Sequence, residues 1–148
     1  MWKTTLVPHD FSESADHAAR VARDEANLHG GRLFLLHVIE LPFSMIPEAV
    51  VVEGGASVSV RDYALANAET RLKEIANELG VSAATTFTRF GVPENEIVRL
   101  VEEIAADVVV MGTHGRTGIR KLLAGSVTER IVRMCQIPVL VIHHPDPQ

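Results

Sequence analysis

Hydrophobic residues fall into five short runs, and between those runs they recur at helical spacing. Thr4 to Val7 predicts a first strand that stops at Pro8. Ser12 or Ser14 then caps a helix running to about His29, with Ala15, Ala18, Ala19, Ala22 and Ala26 on its inward face. Gly30 and Gly31 end it, and "RLFLLHVI" from Arg32 to Ile39 reads as a strand buried on both faces. Leu65, Ala68, Leu72, Ile75, Ala76 and Leu79 form one helical stripe that closes at Gly80. Ala83 to Phe90 predicts a third strand, and Pro93 suits the first turn of a helix burying Ile97, Leu100, Val101 and Ile104. Val108 to Met111 is a fourth strand, and Pro138 to Ile142 a fifth after one more helix. Residues 42–60, with two prolines and the Gly54–Gly55 pair, break both periodicities and predict an irregular loop or lid.

Strands alternating with helices imply parallel pairing through right-handed crossovers. The expected fold is therefore α/β: one Rossmann-like domain over residues 1–148, an open parallel five-stranded sheet with helices on both faces. A barrel would need more units than 148 residues supply. In such sheets a ligand binds beyond the carboxyl ends of the strands, where the winding direction reverses.

Composition changes this picture little. The net charge of -5 argues against bulk electrostatic binding to nucleic acid or an anionic membrane, though a local basic patch stays open. One cysteine, Cys135, allows no intrachain disulfide and suits a reducing compartment. The N-terminal stretch lacks a signal-peptide pattern and no window reaches transmembrane length, so the expectation is a cytoplasmic protein without membrane insertion.

Chemistry is densest in "MGTHGRTGIRKLLAGSVTERI", Met111 to Ile131. Ser126 has an ordinary structural explanation: with Glu129 it makes the capping box "SVTE". That does not account for Gly112 and Gly115 directly after a strand, where missing side chains let a ligand approach the backbone. Nor does it account for Gly125, beside which the N–H groups of Ser126, Val127 and Thr128 can converge on an anion. Arg116, Arg120 and Lys121 add charge along the same loop, or else form a solvated face. Together these features favour a phosphate site. Neither a Walker A sequence nor G-x-G-x-x-G after the first strand is present.

The spacing Gly112-x2-Gly115-x9-Gly125-Ser126 resembles the ATP-binding signature of the universal stress protein family. The resemblance extends over nearly the whole chain, through "LVPHDFSESA", "LLHVIE", "DVVVMGTHGRTG" and "IPVLVI". It implies an ATP-, ADP- or AMP-binding protein whose first and fourth strands lie side by side. On that basis Asp10 would bind the ribose hydroxyls, with Pro8 and His9 beside it, and Val38 would meet adenine through its backbone. Met111 would pack near sugar or base, Gly112 and Gly115 would approach ribose and phosphate, and His114 would lie near the phosphates. Gly125, Ser126, Val127 and Thr128 would hold the phosphate chain, with Arg116 adding charge. Mg²⁺ or Mn²⁺ could accompany the nucleotide through Ser126 or Thr128. The resemblance also implies a homodimer built by the last strand, Pro138 to Ile142, whose alternative is a plain edge strand.

No acidic residue stands beside the phosphate loop except Glu129, so the expected role is regulatory, with slow or absent hydrolysis. A weak ATPase or other ATP-consuming enzyme, and a nucleotide-free structural dimer, are the alternatives. His17 and His37 read as packing or surface residues, His143–His144 as a solvated tail, and Cys135 as a small hydrophobe.

Overall fold

A computed structural model of the chain describes residues 2–40, 50–82, 85–113 and 126–144. Strands β1 (Thr4–Pro8), β2 (Arg32–Ile39), β5 (Thr86–Phe90), β6 (Val108–Gly112) and β7 (Val139–Ile142) form one sheet in the order β5-β2-β1-β6-β7. All four pairings in it are parallel. Helices α1 (Glu13–His29), α2 (Val60–Leu79), α3 (Pro93–Glu103) and α4 (Ser126–Met134) make the crossovers. β1 pairs with β2 on one side and β6 on the other, so the winding reverses beside β1. The fourth strand of the sequence pattern is β6, and its adjacency to β1 is as expected.

Strand alternation explains why both faces are covered. Val7, Leu33, Leu35, Val108 and Val110 point to one face, where α1 supplies Ala18, Ala19 and Ala22, and α2 supplies Leu72, Ala76 and Leu79. Leu6, Phe34, Leu36, Val109 and Met111 point to the other, against Ile97, Leu100 and Val101 of α3 and Ile131 of α4. The alanine stripe of α1 keeps its axis close to the sheet. Ser12 caps that helix, its Oγ accepting from the Ala15 N–H at 3.1 Å. Gly30 and Gly80 follow the ends of α1 and α2.

One expectation is corrected. Residues 50–59 are not irregular: β3 (Val50–Glu53) and β4 (Ala56–Ser59) pair antiparallel, with Glu53 opposite Ala56. The turn residues Gly54 and Gly55 have φ of 58° and 82°. Positive φ at both positions is what a two-residue hairpin turn of matching twist requires. Residues 42–49 of the predicted loop lie outside the described residues.

Candidate functional site

A cavity of about 490 Å³ opens where β1, β2 and β6 end, at the reversal of winding. Pro8, His9 and Asp10 line it from the β1–α1 connection, and Val38 from β2. Met111 and Gly112 line it from β6, and Ser126, Val127 and Thr128 from the start of α4. These residues were all named from sequence. His114, Gly115, Arg116 and Gly125, with Arg120 and Lys121, lie outside the described residues.

The β1–α1 connection is held by a chain of side-chain bonds. His9 is 2% exposed. The Phe11 N–H donates to its Nδ1 at 3.0 Å, so Nε2 carries the proton and donates to Asp16 Oδ1, also at 3.0 Å. The His37 Nδ1–H donates to the His9 carbonyl at 2.7 Å, tying β2 to the same loop. His37 is thus a buried structural link. Asp10 Oδ1 accepts from the Ser12 N–H at 3.0 Å. Ser12, and not Asp10, caps α1.

Burial pushes the His9 pKa below its ordinary value, with Asp16 and Asp10 opposing the shift and Arg71 assisting it. The unfolded chain therefore binds more protons just below pH 6.5. Stability attributable to neutral His9 is complete above that pH and is lost as pH falls from about 6.5 towards the folded value. Urea unfolding between pH 7.5 and 5.5 should show stability falling with acidification. A His9→Gln chain should show a shallower dependence, and equal slopes would refute the assignment.

Phe11 was passed over in the sequence. Its φ is 66°, an uncommon conformation for a bulky residue. Its ring stacks on His37 at 4.1 Å between centroids, and the Arg71 guanidinium carbon lies 4.0 Å from its centroid. Arg71, Asn67, Ala68 and Ala64 line the cavity from α2, a wall that sequence reasoning did not assign. The i, i+3, i+4, i+7 spacing of these residues could have raised the question, but the same stripe also serves the core at Ala68.

Two residues named from sequence also have structural duties. A Cβ on Gly112 would stand 2.2 Å from Ser14 Oγ and 2.8 Å from the Ser14 carbonyl oxygen, so this glycine first makes room for α1. Ser126 is the first described residue of α4, and the Glu129 carboxylate accepts from Arg133 at 2.9 Å. Thr128, 5% exposed, donates from Oγ1 to the Gly112 carbonyl at 3.0 Å, which fixes the start of α4 against β6. The next backbone N–H, that of Thr113, donates to the Ile142 carbonyl at the end of β7.

Outside the cavity, Arg130 pairs with Glu94 of α3 at 2.8 Å. Burial pushes the Cys135 thiol up, consistent with a small hydrophobe beside the α3–α4 core. The His17 and His144 rings meet edge-on at 5.3 Å. Among the described residues no group of three His, Cys, Asp or Glu could hold a metal ion, and no helix is long and apolar enough to cross a membrane.

Comparison with known proteins bears on the fold and the family. The chain is 33% identical to universal stress protein MJ0531 of Methanocaldococcus jannaschii, the match covering 98% of this chain and 84% of that one. It is 32% identical to universal stress protein MJ0577 of the same organism, over 96% and 95% of the two chains. The solved structure of MJ0577 superposes with a TM-score of 0.77, at 27% identity and covering 99% of each chain. A universal stress protein from Archaeoglobus fulgidus, solved in complex with dAMP, shares the fold at a TM-score of 0.57 and 22% identity, over 96% and 98% of the chains. The profile of the universal stress protein family matches residues 1–143, and the chain belongs to that family.

Proposed function

We propose that the chain is an adenine-nucleotide-binding regulatory module that takes ATP, or else ADP or AMP, and hydrolyses ATP slowly or not at all. The observation that carries this reading is convergence. Asp10, Val38, Met111, Gly112 and Ser126 to Thr128 are far apart in sequence, yet they line one cavity. Its volume of about 490 Å³ lies within the range of small-ligand sites. The dAMP-bound relative supports the ligand class at the level of the fold.

In this reading Val38 offers its backbone to the base and Asp10 its carboxylate to the ribose. The first N–H groups of α4 meet the phosphates. The described lining carries Asp10 and Glu40 against Arg71, so it does not by itself attract a polyanion. Helix α4 and the basic residues Arg116, Arg120 and Lys121 would supply the positive field. A Mg²⁺ or Mn²⁺ ion would ride on the phosphates, assisted by the Ser126 or Thr128 hydroxyl. The Thr128 proton is directed at Gly112, which leaves its oxygen lone pairs for that role.

Slow hydrolysis follows from where the carboxylates stand. Asp10 and Glu40 line the cavity just beyond β1 and β2, and Asp10 is assigned to the ribose, while Glu94 and Glu129 are paired with arginines. In this assignment no described carboxylate is left to orient water at a terminal phosphate. The half-buried edge strand β7 would pair with its copy in a homodimer, and the cytoplasm is the compartment proposed.

Calorimetric titration of the purified chain with ATP, ADP and AMP tests this. Saturable binding of ATP, recovered intact after hours with Mg²⁺, is the expected outcome. Repeated turnover would establish the ATP-consuming enzyme instead. Binding of none of the three would leave a nucleotide-free structural dimer.

A further inference from the structure

We propose that Arg71 is the purine-selecting contact of the cavity, its guanidinium stacking on the base from the α2 side while Phe11 backs it. This deepens the nucleotide-binding reading and rests on it.

Position comes first. Helix α2 packs on β2 and β5, whereas α4 packs on β7 at the opposite end of the sheet order. A nucleotide with phosphates at the start of α4 and ribose at Asp10 therefore carries its base under α2, beside Val38. Residues 64, 67, 68 and 71 form the α2 wall there. Ala64 and Ala68 are short and leave room in front of it, and Arg71 is the large group at its inner end.

The partners of the arginines single this one out. Arg23, Arg89, Arg99, Arg130 and Arg133 are each paired with a carboxylate. Arg32, Arg61 and Arg71 lie instead over the rings of Phe34, Phe90 and Phe11. Of those three, Arg71 alone lines the cavity. A guanidinium is planar and weakly hydrated, so it can stack on an aromatic ring at each of its two faces.

The platform beneath it is fixed. Phe11 stacks on His37, which is bonded to the His9 carbonyl, and the Phe11 N–H is bonded to His9. With His37 against its ring and Arg71 over it, Phe11 has no free face for a base. The next layer available in the stack is Arg71. A purine presents a larger π-surface than a pyrimidine, so stacking there favours ATP over CTP.

The test compares Arg71→Met and Arg71→Lys with the native chain, using AMP, ATP and CTP as titrants. Met keeps the stem over Phe11, and Lys keeps the charge without the plane. Both variants should lose about tenfold in affinity for AMP and for ATP alike, and much less for CTP, so the ATP-over-CTP preference collapses. An equal loss for all three ligands would show that Arg71 merely supports the β1–α1 loop, and would overturn the proposal. A loss that grows from AMP to ATP would make Arg71 a phosphate ligand and overturn it too, as would unchanged affinities. In each of those outcomes native ATP binding, and with it the broader reading, survives. If the native chain binds no nucleotide, both fall.

Discussion

Gly112→Ala is expected to destabilise the chain by about 3 kcal/mol, far more than a surface glycine would cost. The added methyl would stand 2.2 Å from Ser14 Oγ, 2.8 Å from the Ser14 carbonyl oxygen and 2.9 Å from its carbonyl carbon. The hydroxyl could rotate away, but the backbone atoms cannot. Relief therefore requires the first turn of α1 to lift from the sheet. Ser14 is buried there, and the turn carries the Ser12 cap and the loop that presents Asp10. A urea melt should show a lower midpoint with an unchanged slope. A midpoint matching that of the native chain would mean that α1 does not press on β6 as described.

The second large effect concerns ligand affinity. Asp10→Ala should weaken ATP binding by about 2 kcal/mol, roughly thirtyfold, through loss of charge-assisted bonds to the ribose. The same substitution removes the acceptor for the Ser12 N–H, so loop disorder could mimic the effect. Asp10→Asn separates the two causes, because its side-chain oxygen can still accept from Ser12 while the charge is gone. The Asn chain should melt like the native one and bind ATP with intermediate affinity. Native-like ATP affinity in the Ala chain would remove Asp10 from the site.

Much of this architecture was legible because each element repeats its own period. The alanines of α1 name a helix and the face it buries, and the unbroken apolar runs of β2 and β6 name strands covered on both faces. The cavity floor was legible for a related reason: a parallel sheet whose winding reverses leaves a crevice at a place that topology dictates. The hairpin at 50–59 was misread because Gly54–Gly55 was counted as a break, although two φ-positive glycines between extended residues are also a turn. Arg71 and Asn67 escaped because the site borrows a helix whose periodicity speaks mainly of the core. Phe11 escaped because no pattern of neighbours announces a left-handed phenylalanine. Gly112 was named for the approach of a ligand, and its second duty, room for α1, carries no mark in the sequence.

The amide joining Gly112 to Thr113 is one rigid plane with a tether on each side. Its oxygen is gripped by Thr128 from α4, and its hydrogen is given to Ile142 on the rim of the sheet. Such a plane can act as a rocker: a displacement of the α4 start would tip it and pull on the rim strand. On the proposed reading, a bound nucleotide would thus act on the outermost strand as well as on the cavity.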